Sequence, residues 1–183
     1  MHHLDIIEKC RQNDRKAQVE LYKTYCDAMY TVAKRYLRHD AEAEDAVQDA
    51  FIKAFTKLHL FSAEVTFGAW LKRIVINTCL DVLKQRKKEL INLDETHLKV
   101  VDNSLDDEWR ITDEYSIETI VKTVNDLSEK YAIILKLFLF EGFDHQEISG
   151  ILNITETSSR TLVFRGKQKL KALLKTPQHA TGY

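Results

Sequence analysis

A single proline in 183 residues, Pro177, and only five glycines leave this chain almost no punctuation. Strands need tight turns, and turns draw on Gly and Pro for backbone angles that other residues resist. With breakers this scarce, and Leu, Ala, Lys, Glu and Gln plentiful, the expected class is all-α. The length suits one medium domain or two small ones. No apolar run approaches the roughly 18 residues of a bilayer span. The opening "MHHLDIIEKCRQ" is too polar for a signal peptide. No membrane insertion and a cytoplasmic location are therefore expected. Cys10, Cys26 and Cys79 are odd in number and lack CxxC spacing, which favours structural thiols. The acids Glu42, Glu44, Asp45 and Asp49 lack the Glu-x-x-His pairs of helical carboxylate sites. No metal, no cofactor and no catalytic group is expected, because neither a nucleophile–base set nor a phosphate loop is present.

The formal net charge of −1 conceals a segregation of charge. Between Thr96 and Lys130, nine acids (Asp102, Asp106, Asp107, Glu108, Asp113, Glu114, Glu118, Asp126, Glu129) face four bases. Between Thr155 and Lys175, six bases (Arg160, Arg165, Lys167, Lys169, Lys171, Lys175) face Glu156 alone. A cationic end follows an acidic middle.

Apolar spacing predicts the elements. Asn13 and Asp14 cap a helix to about Arg38, with Leu21, Tyr25, Ala28, Met29, Val32 and Tyr36 on its inner face. Asp40 caps a second, whose stripe is Ala43, Val47, Ala50, Phe51, Ala54, Phe55 and Leu58. After the loop "HLFSAEVTFG", a third runs from about Ala69 to Lys88, burying Trp70, Leu71, Ile74, Val75, Thr78, Cys79, Val82 and Leu83. Residues 1–90 form a first helical bundle, 91–116 an acidic linker, 117–176 a second bundle and 177–183 a tail. In the second bundle, Ser128 caps an apolar central helix that Gly142 ends. Asp144 and Glu147 form a capping box. Asn153 supplies a left-handed stop, and Thr155 caps a last helix to about Leu174.

A short helix, a tight turn and a basic helix make a helix-turn-helix. Ile148, Ile151, Leu152 and Ile154 pack its two helices together. Glu156, Thr157, Ser158, Ser159 and Arg160 open the second helix, where base edges are read, and Arg165, Lys167 and Lys169 suit phosphates. Gly166 breaks a local rule, because glycine inside a helix costs about 1 kcal/mol relative to Ala.

Three segments in this order resemble the extracytoplasmic-function (ECF) sigma factors, specificity subunits of bacterial RNA polymerase. "AEDAVQDAFIKAFTKL" resembles their core-polymerase-binding segment, "FGAWLKRIVINTCLDVLKQRKK" their minus-ten recognition and strand-opening segment, and "LSEKYAIILKLFLFEGFDHQEISGILNITETSSRTLVFRGKQKLKALL" their minus-thirty-five domain. The resemblance implies that Asp45, Gln48, Asp49, Ile52, Lys53 and Thr56 dock on the clamp coiled coil of core RNA polymerase. It implies that Phe61, Ser62, Ala63 and Glu64 belong to a loop that captures a flipped base. It gives Lys72, Arg73, Asn77, Lys84, Arg86 and Lys87 to minus-ten DNA, although an exposed helix face of that composition can equally be plain solvated surface. Promoter DNA and an anti-sigma factor are the other implied partners, and the acidic linker is expected to thread a positively charged channel of the polymerase. The sequence departs from the family at Asn153, Ser159, Leu162 and Gly166, where Gly, an aliphatic residue, a basic or polar residue and Ala are usual.

Overall fold

The structure, a computed structural model, describes residues 2–90 and 115–175, with side chains from 5–86 and 115–175. All regular elements among the described residues are helical. They gather into two units, each with its own core. Residues 91–114, which hold most of the expected linker, and the tail lie outside the described residues.

The first unit contains α1 (His2–Arg11), α2 (Arg15–Tyr36), α3 (Asp40–Thr56), a single 3-10 turn (Leu58–Leu60) and α4 (Phe67–Leu90). Helix α1 was not anticipated from the sequence. It buries Ile7 and Cys10, three residues apart on one face. Asn13 then turns the chain with φ +61°, and Asp14 caps α2 by accepting from the backbone N–H groups of Lys16 (2.8 Å) and Ala17 (3.3 Å). Asp40 does not cap α3. His39 occupies that position without a side-chain bond, and the Asp40 carboxylate instead accepts from Lys34 and from the Tyr30 hydroxyl, tying α3 back to α2.

Helix α3 buries a stripe of small residues, Ala43, Ala46, Ala50 and Ala54, which lets its neighbours approach closely. Helix α4 packs against both α2 and α3. It therefore buries Ile76 and Leu80 as well as the predicted Leu71, Val75, Thr78 and Cys79, while Ile74, Val82 and Leu83 are only half-buried. Each fully buried Val, Leu or Ile contributes about 1.5–3 kcal/mol. That outweighs the few tenths lost by placing β-branched residues in a helix. Cys79 is fully buried, and burial pushes its thiol up to about 12, so it stays protonated and inert.

The second unit contains α5 (Ile117–Asp126), α6 (Glu129–Leu135), a π-helical segment (Lys136–Phe140), α7 (His145–Leu152) and α8 (Glu156–Leu174). The central helix is not α-helical throughout, as the sequence reading had it. From Lys136 it widens into π turns, with the Glu141 N–H reaching the Lys136 carbonyl. Gly142 then ends it with φ +74°. Ile134, Leu135 and Leu137 are fully buried.

Packing of α8 on α6 explains two departures from the family pattern. Leu162 is a core residue, 7% exposed. A Cβ at Gly166 would lie 3.0 Å from Leu135 Cγ and 3.2 Å from its Cδ2. The absent side chain lets α8 sit against a buried leucine, and this close approach offsets the poor helix propensity of glycine. Gly166→Val should therefore destabilise the protein by about 1–3 kcal/mol through overpacking. Calorimetric melting of the full chain would show a lowered transition for Gly166→Val, whereas Gly166→Ala, which gains helix propensity, should shift it much less.

Candidate polymerase and promoter interfaces

The outward face of α3 follows from its inward one. With the alanine stripe buried, Asp45, Gln48, Asp49, Ile52, Lys53 and Thr56 are exposed. Ile52 is 64% exposed, an aliphatic side chain ringed by polar neighbours. Lys53 leans from this face toward α4, its ammonium 3.1 Å from Thr78 Oγ1. Thr56 returns its hydroxyl to the Ile52 carbonyl at 2.8 Å.

On α4 the line Arg73, Asn77, Asp81 and Lys84 is exposed, on the side away from the buried residues, and Lys72 is half-buried. Arg86 makes an ion pair with Glu42, linking the end of α4 to the start of α3. Both partners of this pair are half-exposed. The Lys87 side chain lies outside the described residues.

Before α4, the chain forms an exposed loop on a rigid base. Phe61, expected to line a base pocket, is instead 4% exposed. Its ring lies 5.7 Å from Phe67 and 5.4 Å from Trp70, and Phe67 in turn meets Tyr25 at 5.3 Å. Such tilted and edge-on pairs add about 0.5–1.5 kcal/mol beyond their area. The ring is thus buried among aromatic neighbours, where it anchors the loop. Ser62, Ala63 and Glu64 are exposed, as are Val65 (54%) and Leu60 (64%). Ala63 has φ +61°, a left-handed conformation that costs a non-glycine residue about 1 kcal/mol. The Thr66 hydroxyl accepts from the Ala69 N–H at 3.2 Å and caps α4.

In the second unit the helix-turn-helix is built as its caps dictate. Asp144 and Glu147 complete a capping box, with the Glu147 N–H 2.7 Å from Asp144 Oδ1 and the Asp144 N–H 3.0 Å from Glu147 Oε2. Asn153 adopts φ +54°, and Thr155 accepts from the Ser158 N–H at 3.1 Å. Glu156, Thr157 and Arg160 are exposed, and Ser158 is half-buried. Arg160 donates to Glu156 Oε1 at 2.5 Å. Exposed pairs of this spacing are worth about 0.3–0.5 kcal/mol, so a base or phosphate can displace the carboxylate cheaply. Lys167 stands 4.7 Å above the Phe138 ring and Lys169 5.5 Å from the Tyr131 ring. Aromatic seats of this kind steady both ammonium groups. Arg165 is half-buried.

Ser159 departs from its expected role as a DNA contact, because it is fully buried. Its Oγ lies 3.0 Å from His145 Nδ1, and the His145 ring stacks on Phe138 at 5.1 Å. This polar pair joins the first helix of the motif to the second at a position where an aliphatic residue is usual. Burial pushes His145 below the ordinary imidazole range; Arg160 and Lys167 act in the same direction, while Glu156 and Asp144 oppose them. As pH falls through about 6.5, the unfolded chain takes up a proton that the folded chain resists. Stability is therefore held above that pH and lost below it. A His145→Gln variant should show a smaller drop in melting temperature between pH 7.5 and pH 5.5 than the parent, as read by calorimetry; equal drops would contradict the assignment.

Comparison with known proteins fits this geometry. Residues 21–89 match the family model for Sigma-70 region 2, and residues 117–170 match that for Sigma-70, region 4. The ECF RNA polymerase sigma factor SigW of Bacillus subtilis is 28% identical over 178 residues, covering 92% of this chain and 95% of that protein. The ECF RNA polymerase sigma-E factor of Haemophilus influenzae is 27% identical, covering 91% of this chain and 92% of its own length. Among solved structures, the sigma factor RpoE in complex with the anti-sigma factor NepR from Bartonella quintana aligns with a TM-score of 0.57 at 22% identity, over 86% of this chain and 96% of that one. CnrH in complex with the cytosolic domain of CnrY aligns at 0.55 and 20%, over 92% and 94%.

Proposed function

The chain belongs to the ECF sigma factors, which direct bacterial RNA polymerase to promoters, and from that premise we propose how its surfaces divide the work. The first unit docks on core polymerase through the outward face of α3, with Ile52 at its centre and Asp45, Gln48, Asp49 and Thr56 around it. The same unit engages the minus-ten box. Arg73, Asn77 and Lys84 on α4, with Lys72 beside them, contact single-stranded DNA, where cations meet phosphates and an amide can meet a base edge. The loop from Ser62 to Thr66 receives a base flipped out of the duplex, with Leu60 and Val65 as apolar flanks. The second unit reads the minus-thirty-five box, with Glu156, Thr157, Ser158 and Arg160 toward the bases and Arg165, Lys167 and Lys169 toward phosphates.

One observation carries this reading. On α3, α4 and α8, nearly all residues assigned to partners lie outside the buried stripes that build the two cores. Ser159 on α8 is the exception, and it and Phe61, in the loop before α4, are buried beneath these surfaces. A cytoplasmic location and an anti-sigma partner belong to the same proposal. Among the described residues no helix is long and apolar enough to cross a membrane. One structural neighbour, RpoE from Bartonella quintana, is a sigma factor solved in complex with an anti-sigma factor, NepR.

Two substitutions separate the surfaces. Ile52→Asp should weaken core-polymerase affinity about 30-fold or more, on the order of 2 kcal/mol, as expected for a central interface anchor. Fluorescence titration of labelled protein with core enzyme measures it, and unchanged affinity would remove α3 from the interface. Lys169→Ala should leave core affinity intact and reduce the salt dependence of holoenzyme–promoter binding by about one unit of slope.

A further inference from the structure

The base of the promoter-facing loop is held by a residue upstream of the Sigma-70 region 2 match. Arg11 ends α1, and its guanidinium reaches across to the far end of the first unit's 3-10 turn. Nε donates to the Leu58 carbonyl at 3.3 Å and Nη2 donates to the Phe61 carbonyl at 2.5 Å. Nη1 is held by the Glu8 carboxylate at 3.0 Å, which orients the fork from within α1. The anchoring of α1 itself comes from Ile7 and Cys10, both buried.

These two carbonyls bracket the 3-10 turn, where helical partners run out. The Leu58 oxygen also accepts from the Phe61 N–H at 3.2 Å, so the guanidinium closes a small network around residue 61. The Phe61 ring is meanwhile clamped by Phe67 and Trp70. Residue 61 is thus fixed by its backbone from α1 and by its ring from α4. Ser62 follows at once, and two residues on Ala63 holds a left-handed angle that persists only where its surroundings enforce it.

We propose that Arg11 is a positioning residue for promoter opening. By bridging α1 to the carbonyls of Leu58 and Phe61, it holds the loop in a shape ready to admit an unpaired base, without itself touching DNA. The inference rests on the reading of that loop given above. Extrusion of a base is unfavourable in itself. A loop already ordered adds no ordering cost at the moment of capture. The planar fork matters, because it serves two carbonyls at once; a lysine ammonium in its place lacks that pre-organised geometry.

The test uses the full chain with core polymerase on a set of promoters carrying each base in turn at the positions of the minus-ten box. The readout is the ratio of open-complex formation rates between the best and worst base at the discriminated position. In Arg11→Gln this ratio should fall about fivefold or more, as small misplacements of a recognition element do. Arg11→Lys should recover part of it, and core affinity should stay unchanged in both. A Ser62→Ala, Glu64→Ala double variant is measured alongside. If that double variant alters discrimination while Arg11→Gln and Arg11→Lys leave the ratio intact, the role of Arg11 is overturned and the loop reading stands. If the double variant also leaves the ratio intact, the loop reading fails and takes this inference with it. An Arg11 that merely stabilises the fold would lower the melting temperature and slow every promoter equally without changing the ratio, which also overturns the proposal.

Discussion

Each helix proposed to read DNA is also a core element, and that double duty is the constraint on which the protein depends. Helix α4 buries Leu71, Val75, Ile76, Thr78, Cys79 and Leu80, so only a narrow line, including Arg73, Asn77, Asp81 and Lys84, is left to face a partner. Helix α8 buries Thr161, Leu162, Val163, Gly166, Leu170 and Leu174, and Arg160 and Lys169 stay outside. With 3.6 residues per turn, fixing the buried set fixes the exposed set. Specificity is therefore set by packing first and by polar chemistry second. A rotation of either helix would exchange the roles of neighbouring residues.

Support for the exposed groups comes from beneath. Phe138 carries Lys167 and also stacks with His145, and His145 in turn meets Ser159. Lys167 and the joint between the two helices of the motif thus share one aromatic ring. In the first unit, Phe61, Phe67, Trp70 and Tyr25 form a similar platform under the loop. In both places aromatic rings sit beneath the groups proposed to contact DNA.

Much of this was legible from periodicity and caps. The buried stripe of α3, the capping box at Asp144 and Glu147, the left-handed Asn153 and the cap at Thr155 all follow from local residue chemistry, which neighbouring segments do not override. What escaped depends on contacts between segments far apart in sequence. Helix α1 has only a short apolar repeat, and its stability comes from burying Ile7 and Cys10 in the unit's core. The glycine in α8 is explained only by a distant residue, Leu135, whose Cγ lies 3.0 Å from where a Cβ would sit. Ser159 reads as a polar surface residue until His145, 14 positions earlier, is brought against it. Arg11 carries no motif at all; apart from Glu8 on its own helix, its partners are backbone carbonyls 47 and 50 residues downstream.

The central claim is that two separately built units read two promoter boxes on behalf of the polymerase that carries them. Footprinting of a cognate promoter with the chain alone, with core enzyme alone and with both together tests this most directly. The account predicts protection of both boxes, with reactive unpaired bases in the downstream one, only in the combined sample. Sequence-specific protection by the chain alone, or a combined sample indistinguishable from core enzyme, would contradict it.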